Sequence, residues 1–145
     1  MNDITRLVAL SNKPELIRYI ENPTFIECKV AIENNSNVFR YIELDKLNFN
    51  KEQTFELCKI AIKLYPLNLA YVKEQTLELC KLAFELDSCT FVYVKEQTFE
   101  VCKMAIEISP VFFKLLKEQT FELCKLAIEL EPTNFRYVKE QNFEL

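Results

Sequence analysis

Lys73-Glu74-Gln75-Thr76-Leu77-Glu78-Leu79-Cys80-Lys81-Leu82-Ala83 is followed, 22 residues on, by Lys95-Glu96-Gln97-Thr98-Phe99-Glu100-Val101-Cys102-Lys103-Met104-Ala105. The same phrase opens at Lys51 and at Lys117, and a near copy opens at Lys139. A fixed interval of this size marks a chain built from small similar units. Each such unit buries its apolar face only by stacking on its neighbours.

With the Lys as position 1, position 5 is Phe55, Leu77, Phe99 and Phe121, and position 8 is Cys58, Cys80, Cys102 and Cys124. Position 11 is always Ala: Ala61, Ala83, Ala105 and Ala127. Thr24, Phe25, Cys28, Ala31, Phe39 and Tyr41 fit the same template once eight extra residues, 43–50, are set aside. Ala9, Pro14, Ile17 and Tyr19 fit it one period earlier, weakly. The expected organisation is therefore one repeat domain over 1–145. It begins with a degenerate N-terminal cap, 1–20, a repeat at 21–42 and an insertion at 43–50. Regular repeats follow at 51–72, 73–94, 95–116 and 117–138, with a partial repeat at 139–145.

Within a unit, Thr54 to Leu64 reads as a helix. Thr is a good N-cap, and an acid in the first turn, Glu56, suits the helix dipole. Only Glu56, Lys59 and Lys63 are polar after the cap, a narrow wet stripe with Glu56–Lys59 pairing in reach. Tyr65-Pro66-Leu67-Asn68 ends the helix, because a proline disfavours helix in the residue before it. The second half of the unit is less plain. Asn134-Phe135-Arg136-Tyr137-Val138 alternates like a strand, but its continuation into Lys-Glu-Gln favours a short second helix. A leucine-rich-repeat phrase is missing. The fold expected is an all-α solenoid of helix-turn-helix repeats. The small Ala at position 11 suits close approach between layers.

Composition narrows the function. Of 145 residues half are hydrophobic and 28% charged, the make-up of a folded protein. There is no His and no Gly, so the commonest general base and the Gly-rich phosphate loops are missing. Carboxylates recur at positions 2 and 6 of every unit, which suits a solvated face rather than an active site. No enzyme and no cofactor are expected. The net charge is −4 with acids and bases interleaved, which argues against a nucleic-acid partner. The four-residue apolar run near the N-terminus is short for a signal peptide, and no stretch approaches a membrane span. An intracellular chain without membrane contact is expected.

Five of the six cysteines, Cys28, Cys58, Cys80, Cys102 and Cys124, sit at position 8. With no Cys-x-x-Cys and no His, metal binding is a poor reading; small core hydrophobes are the better one. Cys89 stands off this ladder, at position 17. The Gln and Thr at positions 3 and 4 suit capping and hydrogen bonds between repeats.

Positions 1 to 14 hardly change between units, whereas positions 15, 17, 18 and 20 do. These positions are expected to line one edge of the array. The partner-binding candidates there are Tyr65, Leu67, Cys89, Val111, Phe112, Lys114 and Arg136. Leu67, Val111 and Phe112 are apolar where solvent-facing residues would serve, and exposed apolar patches mark contacts. Phe112→Asp is accordingly expected to abolish partner binding without unfolding the chain. The partial last repeat, with Phe143 and Leu145, is expected to leave an apolar end face, a candidate end-to-end contact for homo-oligomers.

The phrase Tyr-Val-Lys-Glu-Gln-Thr-x-Glu-x-Cys-x-x-Ala, as in Tyr71 to Ala83, resembles the short tandem helical repeats found in uncharacterised proteins of giant DNA viruses of amoebae. The resemblance spans about Asn22 to Leu145 apart from the insertion, and departs from that pattern in lacking its loop Gly. It implies a helical solenoid of viral or AT-rich origin in the host cytoplasm, and no activity. The function expected is a non-enzymatic protein-interaction scaffold. The alternative is a structural or virion-assembly component that stacks or oligomerises.

Overall fold

The computed structural model describes residues 2–139. It is all-α: among the described residues six α-helices alternate with short 3-10 helices, and there is no strand. Contacts divide the chain into two compact units, Met1–Lys73 and Glu74–Leu145.

The first unit holds α1 (Asp3–Asn12), η1 (Pro14–Tyr19), α2 (Phe25–Asn34), η2 (Ser36–Tyr41), η3 (Leu44–Lys46), α3 (Lys51–Leu64) and η4 (Pro66–Tyr71), where η denotes a 3-10 helix. The α-helices pack side by side in chain order, and η1, η2 and η4 form a second layer. Segment 1–20, weak in its match to the template, is a complete α–η pair with Leu10 and Ile17 in the core.

The second unit holds α4 (Leu77–Leu86), η5 (Ser88–Tyr93), α5 (Phe99–Ile108), η6 (Pro110–Leu115), α6 (Phe121–Leu130) and η7 (Pro132–Tyr137). Here α4 packs on α5 and α5 on α6, while η5, η6 and η7 pack in series.

The local chemistry sets each boundary. Thr24, Thr76, Thr98 and Thr120 are N-caps whose Oγ1 accepts the backbone N–H three residues on. Each such cap contributes about 1 kcal/mol. At α2 the cap is reciprocal: Glu27 returns its carboxylate to the Thr24 N–H. In α3 the insertion changes the start. Asn50 forms a capping box with Gln53, so Lys51-Glu52-Gln53 is the first turn and the helix begins three residues before the expected Thr54. In the later repeats the same Lys-Glu-Gln phrase lies outside any helix. The expectation that it continues the second helix is therefore wrong. Thr at position 4 captures the helix start, and the 3-10 helix has already stopped at position 21.

Without Gly, no helix ends on a left-handed residue. Tyr65, Asp87, Ser109 and Glu131 break away in extended conformation instead, each N–H still bonded to the position-11 carbonyl. Pro66, Pro110 and Pro132 then open the 3-10 helix at its first position, where the missing N–H costs nothing. At six residues these 3-10 helices are longer than the three or four at which most stop.

The core is the repeated set of the template. Ala31, Ala61, Ala83, Ala105 and Ala127 are fully buried, as are Cys28, Cys80 and Cys124 to the same degree. The insertion is tied down on both sides: Phe49 sets its ring edge-on to Phe25 at 6.1 Å, and Asp45 accepts from Lys73 Nζ at 2.6 Å. Arg6 closes α1 onto α2 through buried Glu27, with Nε at 3.0 Å.

Candidate partner-binding face

Each repeat presents two outward surfaces of different chemistry. On the α-helices of the second unit, Lys81–Glu85, Lys103–Glu107 and Lys125–Glu129 form exposed i,i+4 pairs at 4.0 Å. Such pairs contribute little to stability but keep the face solvated. They replace the expected Glu56–Lys59 type of pairing; Glu56 takes Lys29 instead, and Lys59 lies over the Phe55 ring.

The 3-10 layer is different. Residues three apart eclipse in a 3-10 helix, so positions 17 and 20 share a side. In the second unit that side carries Cys89 and Val92, Val111 and Lys114, and Thr133 and Arg136, all exposed. Val92 is 64% and Val111 58% exposed. Tyr93, Leu115 and Tyr137, at position 21, add half-exposed rings and an aliphatic beside them. In the first unit Tyr65 is exposed and Leu67 half-buried.

Phe112 is a correction. It is 2% exposed, and its ring lies 5.5 Å from Phe84 and 5.4 Å from Phe91, which are themselves 5.5 Å apart. This aromatic triad fills the space between two repeats, so Phe112 belongs to the core and cannot contact a partner. Phe112→Asp would place a charge there, and losing the ring alone removes about 3–5 kcal/mol. Position 18 as a whole is not an edge position. Val38, Asn68, Thr90 and Asn134 are buried there too. Asn68 Nδ2 donates to the carbonyls of Ala61 and of Ser36 one repeat earlier, and Asn134 Nδ2 does the same to Ala127 and Pro110. Thr90 turns its Oγ1 to the Asp87 carbonyl at 2.7 Å.

The Gln series links repeats. Gln75, Gln97 and Gln119 accept through Oε1 the backbone N–H of Lys95, Lys117 and Lys139, at 2.8–2.9 Å. Gln75 and Gln119 also donate from Nε2 to the carbonyls of Tyr93 and Tyr137. Gln53 differs because it caps α3.

All six cysteines are free thiols. The position-8 thiols are buried and their acidity is suppressed. Burial, with a further push from the Glu27 carboxylate, raises Cys28 to about 12. Burial raises Cys58 and Cys80 to about 11. Cys89 is exposed, and the Asp87 carboxylate beside it, by hydrogen bond and by charge, holds its thiol above the usual range. Among the described residues no group of three or more His, Cys, Asp or Glu is placed to hold a metal, and no helix is long and apolar enough to cross a membrane. Phe143 and Leu145, the end-to-end candidates, lie outside the described residues.

The first unit carries a feature the sequence pattern did not single out. Arg18 lies over the Tyr41 ring at 4.2 Å and Arg40 over the Tyr71 ring at 5.2 Å. Each cation at position 20 thus rests on the position-21 ring of the next repeat. Arg-Tyr at 18–19, 40–41 and 136–137 is the sequence signal.

Comparison of the chain with protein-family models, with curated proteins and with solved structures finds no match.

Proposed function

We propose that this chain is a non-enzymatic interaction scaffold whose 3-10 face receives a protein partner. One contrast supports the reading. The α-helices of the second unit set exposed Lys–Glu pairs beside their exposed Leu77, Phe99 and Phe121, at 41–47%, whereas Val92 at 64% and Val111 at 58% stand more open to solvent on the 3-10 face, with no such pair beside them among the described residues. Exposed apolar side chains grouped together mark contact sites. Cys89, Lys114 and Arg136 vary between repeats around that face of the second unit, and Tyr65 and Leu67 are the variable candidates of the first unit, which suits recognition by differences between repeats.

Val111→Asp tests it. The substitution falls on an exposed residue, so circular dichroism and Tm stay as in the wild type, while the set of proteins co-purified with the chain loses its main member. An unaltered set places the contact elsewhere. The Tyr-Val-Lys-Glu-Gln-Thr phrase supports placing the chain among the tandem repeats of giant viruses, and so in the cytoplasm of an infected cell.

A structural, self-stacking role is the second reading. Phe135 at position 19 is 48% exposed, whereas Phe39, Leu69, Phe91 and Phe113 at the same position are at most 2% exposed. Light scattering over a wide concentration range decides between the two. A constant 17.2 kDa species favours the scaffold, and growing assemblies favour self-stacking.

A further inference from the structure

We infer that the 3-10 face of the first unit, around Arg18 and Arg40, binds an extended acidic peptide segment whose carboxylates are spaced three residues apart. The inference rests on the reading of the chain as an interaction scaffold, though not on the 3-10 face of the second unit. Its basis is an uncompensated pair of cations. Both arginines are exposed, and both are held by a ring of the following repeat, Tyr41 and Tyr71. Neither makes an ion pair with a carboxylate among the described residues. The acids near them in sequence are directed elsewhere: Glu15 accepts from Asn35, Glu43 pairs with Lys46, and Asp45 pairs with Lys73. Glu21 bonds neither arginine.

A chain of net charge −4 thus keeps two guanidinium groups on one face without a counter-charge of its own. Stacking on a phenol ring leaves the N–H edge of a guanidinium free to take a carboxylate bidentately, and fixes its plane in advance. The spacing selects the ligand. Packed helices are about 8–10 Å apart, and an extended chain in the polyproline II conformation, with three residues per turn and a rise of about 3.1 Å, sets residues i and i+3 on one side about 9 Å apart. Carboxylates three residues apart on such a chain therefore reach successive layers. Tyr19, at 80% exposure, offers an apolar surface next to the first cation.

The test uses the full chain and a labelled peptide with glutamate at every third position, free of aromatic residues, with its glutamine counterpart as control. The label on the peptide reports binding; the protein has no Trp, and of its six tyrosines Tyr41 and Tyr71 lie beneath the two arginines. Saturable binding of the glutamate peptide is expected, with none of the glutamine peptide. Arg18→Gln and Arg40→Gln should each weaken it about fivefold or more, the loss of one charge-assisted contact. Lys103→Gln, on the α-helical face, should leave it unchanged, and all three variants should keep the wild-type circular dichroism. Absence of saturable binding, or binding indifferent to both arginines, overturns the inference. So does a single-stranded oligouridine that binds more tightly than the peptide with the same arginine dependence. Loss of the co-purified partner on Val111→Asp together with no peptide binding would leave the scaffold reading standing and sink this one. Peptide binding with no effect of Val111→Asp would keep this inference and the scaffold reading, and would remove only the 3-10 face of the second unit as the partner site.

Discussion

Asn134 donates from its buried side-chain amide to the carbonyl of Pro110, one repeat earlier, at 3.1 Å. The same Nδ2 reaches the Ala127 carbonyl at the end of its own helix, at 3.3 Å. One side chain thereby ties the end of α6 to the start of η6. Asn68 repeats the arrangement in the first unit with Ala61 and Ser36.

Asn134→Asp keeps the shape and removes the donor. It should destabilise the chain by about 1–3 kcal/mol, the cost of leaving buried acceptors unpaired. Asn134→Thr should cost less, because Thr90 occupies the same position in another repeat by turning its hydroxyl to a local carbonyl. Urea unfolding of the three proteins checks the order. Equal stabilities would mean the amide is dispensable.

Gln97 accepts the Lys117 N–H at 2.9 Å. Gln97→Ala removes this contact between repeats while leaving the helix caps in place. Amide exchange at Lys117 should quicken, and stability should fall by about 0.5–1.5 kcal/mol. Exchange at Val101 N–H, capped by Thr98, is the internal control and should hold.

Ala105 is fully buried, and its carbonyl also accepts the Ser109 N–H that ends α5. Ala105→Leu adds three carbons where two layers meet and should cost about 1–3 kcal/mol through overpacking. An unchanged Tm would show that position 11 does not sit at a close approach.

Cys89 should be the one thiol labelled by a water-soluble disulfide reagent in the folded chain, since the other five are buried. The Asp87 carboxylate disfavours the thiolate, so labelling should rise with pH through a midpoint above that of a free cysteine. Asp87→Asn removes the negative charge, lowers that midpoint and should speed labelling near pH 8. Equal rates for the two proteins would remove Asp87 as the cause.

The repeat, the Thr-capped starts of α2, α4, α5 and α6 and the cysteine ladder were legible because each rests on one local interaction, Thr at an N-cap or a small side chain facing the neighbouring layer; the start of α3 was not, because Asn50 of the insertion caps it three residues early. The 3-10 character of the second helix was not, because it depends on how Pro66, Pro110 and Pro132 start that segment and on what the next repeat packs against it. Position 18 misled for a different reason. Its occupants, Val38, Asn68, Thr90, Phe112 and Asn134, differ so much in polarity that variation looked like exposure. Burial there is compatible with all of them, because Asn and Thr satisfy carbonyls and Phe112 meets Phe84 and Phe91. The Arg–Tyr stacking escaped notice because its two partners come from successive repeats, 23 residues apart for Arg18 and Tyr41.

A photo-crosslinking side chain placed at Val111, and separately at Lys103, tests the scaffold reading most directly. Val111 stands on the 3-10 face and Lys103 on the ion-paired α-helical face. Irradiation in the cell that naturally expresses the chain should give a discrete adduct from position 111 and none from position 103. Adducts from 103 alone, or equally from both, would contradict a partner seated on the 3-10 face.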